Sequence, residues 1–374
     1  MTTPLAGLKV LELARVLAGP WAGQVLADLG ATVIKVEAPI GDETRTWGAP
    51  AAPDGTAAYF HSCNRGKHSI ALDFRNEDDL ALVQELAADA DVVIENFKVD
   101  GLKKFGLDYE SMKAQNPAII YCSITGFGQD GPYAHRAGYD FIIQAMSGIM
   151  DITGDPDGPP QKVGVAYADI FTGLYGVIAI QAALAARANT GEGQHIDMAL
   201  FDSQVGVLAN QASNYLMTGT EPKRLGNSHP SIVPYQVFET ADAPLVIACG
   251  NDGQFRNLSL AMGLELHSDP RFATNPSRLE NREVLSEILD DILAKIPRTE
   301  ILDMMEKAGV PAGPINTVAE AFDDPQIQHR GMVVNQTVRN PIRFSDLELA
   351  TQKSPPTLNQ DNDIIRNKLW NIDN

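Results

Sequence analysis

Positive charge is scarce in this chain. Twenty-nine lysines and arginines face 48 aspartates and glutamates, giving a net charge of −19. A nucleic-acid binder needs a basic face to neutralise phosphates, so this balance excludes a general nucleic-acid partner. It leaves room for an anionic small molecule held by a few cations in one cleft. Cysteine is scarce too: Cys63, Cys122 and Cys249 are odd in number and widely spaced, which excludes a disulfide framework and predicts reduced thiols. The seven histidines form no His-x3-His or Glu-x2-His spacing, so no metal is expected. The opening Met-Thr-Thr-Pro-Leu-Ala-Gly lacks a basic segment followed by a hydrophobic one, the pattern of a secretory signal, which predicts a cytoplasmic protein. Long apolar runs are also missing. The nearest, Ile170 to Ala186, is interrupted by Thr172, Gly173, Gly176 and Gln181 and is short for a membrane span, so it reads as a buried helix with no membrane partner.

What the sequence does contain is alternation. At 374 residues it exceeds one ordinary core, which predicts two domains. A βαβ unit opens it: a strand at Leu8–Leu13, a turn at Ala18-Gly-Pro20, a helix to Leu29, and a strand at Thr32–Val36 followed by Glu37. Gly19 and Gly23 stand where a dinucleotide fingerprint needs three glycines, so the NAD-binding reading is weak. An amphipathic stretch at 77–88 and strands at 92–95 and 118–123 continue the pattern of an α/β fold with a largely parallel sheet. Helical patterns cover 139–150 and 170–187, a strand covers 195–198, and a helical run leads towards Met217. After Gly219 the runs Tyr235–Thr240 and Leu245–Cys249 read as a β-hairpin, with helices at about 252–262, 281–295 and 298–308. The expected organisation is a large Rossmann-like domain, 1–220 completed by 326–374, with a smaller α+β domain at 221–325.

Asp169 is the only carboxylate between Val163 and Gly176, a stretch otherwise small, aromatic or aliphatic. Desolvating an ionised carboxylate is costly unless it is hydrogen-bonded or paired. Two readings stay open: an N-cap for the following helix, or a nucleophilic carboxylate near that helix's positive end. Cations that could gather round an anionic ligand are Arg65, Lys67, Lys98, Lys104 and Arg136, each of which is equally readable as solvated surface.

Several segments together resemble the class III CoA-transferase family over nearly the whole chain. They are Ala18-Gly-Pro20, Leu26-Ala-Asp-Leu-Gly-Ala31, Val33-Ile-Lys-Val-Glu37, Gly41-Asp-x-x-Arg45, Val93-Ile-Glu-Asn-Phe97, Ser123-Ile-Thr-Gly-Phe-Gly128, the Asp169 run and Thr190-Gly-Glu-Gly-Gln194. The resemblance implies a coenzyme A thioester and small carboxylic acids as substrates, and Asp169 as covalent nucleophile passing through an aspartyl anhydride and an aspartyl-CoA thioester. It implies CoA contacts at the Val16 backbone, Asn96, Phe97, Lys104 and Tyr139. Ala38 and Ala137 stand where one member has basic residues, so Arg45 or Arg136 is expected to substitute, beside Lys67 and Lys98. Gly226 or Gly250 is expected to offer backbone N–H groups to developing oxyanions. The segment Arg224–Phe238 looks like the loop of a dicarboxylate-transferring branch, with His229 or Arg224 as partner for a distal carboxylate.

An interlocked homodimer is a further expectation from the resemblance. An acyl-CoA racemase or epimerase is a rival reading. That branch carries a histidine where this chain has Tyr139, and a phenol, ordinarily titrating near about 10, is a poor replacement base. A non-catalytic CoA- or nucleotide-binding protein is the other rival, disfavoured by Asp169. At the C-terminus, members commonly carry Pro-Pro-x-Leu-Gly-x-His, and this chain has Pro355-Pro-Thr-Leu-Asn-Gln-Asp361, which puts the packing of the tail in question.

Overall fold

The computed structural model describes residues 3–351 and 353–372. Strands β1 (Lys9–Leu13), β2 (Thr32–Glu37), β3 (His68–Ala71), β4 (Val92–Glu95), β5 (Ile120–Thr125) and β6 (Gln194–Ala199) pair in the order β3-β2-β1-β4-β5-β6, each neighbour parallel. Between and after them run helices α1 (Ala18–Asp28), α2 (Ala58–His61), α3 (Glu77–Ala88), α4 (Tyr109–Gln115), α5 (Asp140–Met146), α6 (Tyr167–Thr190), α7 (Leu200–Gly206) and α8 (Ala209–Thr218). A parallel sheet has to be covered on both faces. Because successive side chains point to opposite sides, Val10, Val33, Val92, Ile94 and Cys122 join one core with α1 and α6, while Leu11, Ile34, Ile70, Val93 and Tyr121 join another with α3. Each fully buried aliphatic side chain contributes about 1.5–3 kcal/mol.

Chain order reverses at β1: β2 and β3 extend the sheet to one side, and β4 returns to pair with β1 on the other. In such sheets the crevice beyond the strand C-termini at this reversal is where ligands bind. Gly19 and Gly23 serve packing. A Cβ on Gly19 would lie 2.3 Å from the Ala14 Cβ, and one on Gly23 1.8 Å from Glu12 Oε2, so the glycines let α1 lie directly on β1.

Several boundaries differ from the sequence reading. The helix expected from Ile170 starts at Tyr167, with Ala166 in the N-cap position, so Asp169 is the third helical residue and not the cap. Ala18-Gly-Pro20 is no turn but the first turn of α1, where proline costs no helical hydrogen bond. The run towards Met217 is split into α7 and α8. Strand β3, only four residues and half polar, carried no alternating signal.

Segment 151–161, expected in the larger unit, belongs to the smaller one, which comprises Asp151–Gln161 and Glu221–Pro325. Its antiparallel sheet, β7 (Tyr235–Phe238), β8 (Leu245–Ala248) and β9 (Ala312–Pro314), packs with α9 (Asp252–Ala261), α10 (Asn275–Glu280), α11 (Arg282–Leu293) and α12 (Arg298–Ala308). Leu285, Leu289 and Leu293 recur once per turn of α11 and meet Phe238, Ile247, Phe255 and Ile301 in the core. Arg278 is wholly buried there, donating to the carbonyls of Val233 and Phe272 and to Asp252.

In the larger unit the departures at the C-terminus prove locally consistent. Asn359 takes φ +61°, a conformation asparagine tolerates well, and accepts from the Ala71 N–H. The Asp361 carboxylate accepts from the Ser69 N–H and pairs with His68 at 3.2 Å, so the tail closes the free edge of β3.

Candidate active site

Beyond the C-termini of β1 and β4 lies a cleft of about 160 Å³, lined by Val16, Asn96, Phe97, Lys98, Arg136, Tyr139 and Asp169 among others. Seven of the expected site residues thus converge from four separate segments. Val16 has φ +70°, rare for a β-branched residue. Its N–H points at the Asp42 carboxylate, at 3.3 and 3.4 Å, which holds the turn in that shape. The Asn96 amide clamps the same turn, accepting from the Arg15 N–H at 3.0 Å and donating to the Arg15 carbonyl at 2.6 Å. The Phe97 N–H is fixed by Glu95 at 2.8 Å. Arg15, Lys98 and Arg136 are exposed around the cleft.

Asp169 enters from the first turn of α6. Burial, and secondly the nearby negative charge of Asp140, push its carboxyl up to about 7, against a lowering hydrogen bond from the Ala18 N–H. No described cation pairs with it. Desolvation and Asp140 together outweigh the Ala18 hydrogen bond, so Asp169 is not held strongly ionised at its helix start. Asp140 is itself pinned by the Ala168 N–H at 2.9 Å and the Gln144 amide at 2.7 Å. Burial, followed by Asp169, pushes the Tyr59 phenol above its ordinary value. A poorly solvated carboxylate without a counter-ion is a reactive nucleophile once deprotonated.

Sequence reasoning missed Asp140 and Tyr59 as neighbours of Asp169. Asp140 opens a helix and looks like an ordinary first-turn acid, and nothing in the sequence brings Tyr59 to α6.

Two expected phosphate contacts are committed elsewhere. Arg45 is buried, bound to Glu37 at 2.7 Å through both Nε and Nη2, donating to the Pro356 carbonyl, and lying over the Phe60 ring. Lys67 is buried against Glu12 at 2.8 Å, with further bonds to the Pro20 carbonyl and the Asn64 amide oxygen. Arg65 likewise holds Asp28 at 2.6 Å and ties down the hairpin Val333–Val334 with Thr337–Val338. Glu37, at the place where a dinucleotide fold reads its ribose, is closed off by Arg45 and Ser69. Lys104 is exposed, stands over Phe105 and does not line the cleft.

In the smaller unit the expected oxyanion donors are already engaged. The Gly226 N–H donates to the Gly154 carbonyl and the Gly250 N–H to Gln254 Oε1. His229 Nδ1 accepts from the Ser231 N–H, which leaves Nε2 as the ring's remaining polar atom. Arg224 binds Asp151 at 3.1 Å. Among the described residues no group of His, Cys, Asp and Glu is arranged to hold a metal ion.

Comparison with known proteins identifies the family. Residues 5–362 match the family model described as CoA-transferase family III. The chain is 54% identical to the succinate–glutarate CoA-transferase of Agrobacterium fabrum, across 96% of this chain and 93% of that protein. It is 44% identical to the succinyl-CoA:glutarate CoA-transferase of Homo sapiens, across 96% and 84%. Among solved structures, a CAIB/BAIF family protein from Brucella suis is similar with a TM-score of 0.90 and 60% identity, covering 99% of this chain and all of that one.

Proposed function

The chain belongs to CoA-transferase family III and is a CoA-transferase, and from that premise we propose that it moves CoA from a succinyl-type thioester to a small dicarboxylate, with Asp169 as the covalent carrier. The similarity to two succinate–glutarate transferases supports the substrate class. The observation that carries the mechanism is the placement of Asp169: unpaired, largely desolvated, and at the reversal point of the sheet beside the turns of Val16 and Asn96.

Ionised Asp169 attacks the thioester carbonyl, the C–S bond breaks, and CoA leaves as a thiolate while the acyl group remains on Asp169 as a mixed anhydride. The thiolate attacks the Asp169 carboxyl carbon and expels the donor acid as a carboxylate, leaving an aspartyl-CoA thioester. The acceptor carboxylate then attacks that thioester and releases the thiolate again. Attack of the thiolate on the acceptor's acyl carbon gives the new thioester and frees Asp169. Each step exchanges one carboxylate for one thiolate, so no proton or water is consumed, and excluding water retains the thioester's energy. Arg15, Lys98 and Arg136 are the cations for the CoA phosphates. Arg224 and His229 are the candidates for the acceptor's distal carboxylate.

We also propose that the chain works as a homodimer. Helix α6 leaves Tyr167, Leu174, Tyr175 and Ile178 exposed, and α8 leaves Leu216 and Met217 exposed at 80% and 86%. Such an extent of apolar surface marks an interface. Light scattering that gives a monomer mass at micromolar concentration overturns this.

The test of mechanism is a trap. Incubation with succinyl-CoA, quenching with hydroxylamine or borohydride and mapping by mass spectrometry should modify Asp169, and the signal should vanish in Asp169→Ala. An unmodified Asp169 alongside α-proton exchange in a branched acyl-CoA would favour the racemase reading instead.

A further inference from the structure

A second buried carboxylate stands one residue before the cleft. Glu95 ends β4 at 6% exposure, and no described cation pairs with it. Its Oε2 accepts the Phe97 N–H at 2.8 Å, and the Ser123 hydroxyl of β5 also donates to it. Ser123 Oγ lies 3.0 Å from His195 Nε2 on β6. A hydroxyl has one proton. Ser123 is the register partner of Glu95, and the imidazole tautomer sets which of Ser123 and His195 donates. His195 is on the edge strand, exposed, and stacked on Tyr109 at 4.7 Å. Glu95, Ser123 and His195 line one polar cavity of about 230 Å³ together with Lys98 and Lys103. The chain therefore runs from solvent, across one face of the sheet, to the turn that presents Asn96 and Phe97.

We propose that Glu95 is a positioning residue for CoA, and that the Glu95–Ser123–His195 chain makes the grip of the Asn96–Phe97 turn depend on protonation from the far side of the sheet. This rests on the reading that the turn contacts CoA. When ionised, Glu95 holds the Phe97 N–H by a charge-assisted bond, and protonation weakens that bond. Burial pushes the Glu95 carboxyl up to about 7, against the hydrogen bonds of Ser123 and Phe97 and with help from Asp197 of β6. The charged and titratable groups around it are Asp197 and His195 on β6, Tyr121 on β5, Lys98 and Asp100 after β4, and Lys103, Asp108, Tyr109 and Glu110 across the cavity. Burial holds the His195 imidazole below its ordinary range, against the raising effect of Asp197 and Glu110.

The experiment is equilibrium binding of free CoA by calorimetry between pH 5.5 and 8.5. Every protein carries Asp169→Ala, which removes the other group that titrates near 7. Adding Glu95→Gln should weaken CoA binding about five- to tenfold at pH 8.5 and leave it unchanged at pH 5.5. The difference between the two profiles cancels the titration of CoA itself. Adding Ser123→Ala instead should keep the pH dependence and move its midpoint upwards, because a bond favouring ionised Glu95 is lost. A uniform loss at every pH in Glu95→Gln, or no loss, overturns the proposal. Asn96→Ala separates the two layers. If it weakens CoA binding while Glu95→Gln does not, this proposal alone fails. If it leaves CoA binding intact, the reading of the turn as a CoA contact fails, and this proposal with it.

Discussion

Two groups of carboxylates gather around the same sheet, and the fold treats them in opposite ways. Beneath α1, Glu12, Glu37 and Asp42 interleave with Lys35, Arg45 and Lys67 at separations of 2.7 to 3.2 Å. Burial alone would raise Glu37 and Asp42, yet Arg45 and Lys35 bring both below their ordinary values. At the strand C-termini Glu95 is buried and Asp169 half-buried, no described cation pairs with either, and desolvation raises both to about 7. Where the backbone has to keep one shape, charge is matched by charge. Where the matching cation is left out, desolvation leaves the group poised to gain or lose a proton near neutrality.

The contrast is sharpest at Asp169 itself. Asp169→Ala should lower CoA transfer by at least about 10³-fold, roughly 4 kcal/mol at about 1.4 kcal/mol per decade, while the protein remains folded. A thioester-exchange assay beside a thermal melt checks both halves, and retention of more than a tenth of the activity would erase the distinction. In the paired group the effect should fall on stability instead. Arg45→Ala leaves Glu37 buried and unmatched and should cost about 3–5 kcal/mol in urea unfolding. Restoring neutrality with Glu37→Gln in the same chain should recover part of it.

Proton linkage gives a smaller effect of opposite sign. Asp169 has a folded-state value raised above its unfolded one. Its ionisation therefore opposes folding, and that cost is fully present above about 7 and absent below the ordinary carboxylate range. Asp169→Asn should accordingly raise the melting temperature by about 2–5 °C at pH 8 and by less at pH 5. The rising limb of kcat/KM should have a midpoint near 7 in the wild type, and Asp140→Asn should move it down, since a like charge has been removed. The weakest expected effect is at the β3 edge. Asp361→Asn keeps the shape but loses the charge facing His68, and should lower stability by about 1 kcal/mol or less, measured at pH 6.

Legibility in the sequence followed locality. Strands β1, β2 and β4 are apolar runs, and the Leu285, Leu289 and Leu293 repeat announces α11. The prominence of Asp169 could be read from its apolar neighbours. The fates of Arg45 and Lys67 could not, because each is decided by a partner on a different strand. A usable signal did exist. Glu12 and Lys35 sit among the apolar residues of two neighbouring strands and Glu37 directly follows one of them, and buried charges need partners, so cations close to them are the first to be consumed. Asp140, Tyr59 and His195 meet their partners only through the crossover connections, which no local pattern encodes.

Gly173 sets a rule for anyone redesigning the acid specificity. A Cβ there would lie 2.6 Å from the Ala18 carbonyl and 3.3 Å from the Trp21 side chain, with no flexible tip to yield at the carbonyl. One turn earlier on the same helix, Asp169 takes its hydrogen bond from the Ala18 amide. A library randomising surface loops can range widely, whereas position 173 has to be kept as it is. Any larger residue would lift α6 off α1 and displace the carboxylate from its amide, with no change to the residues that select the acid.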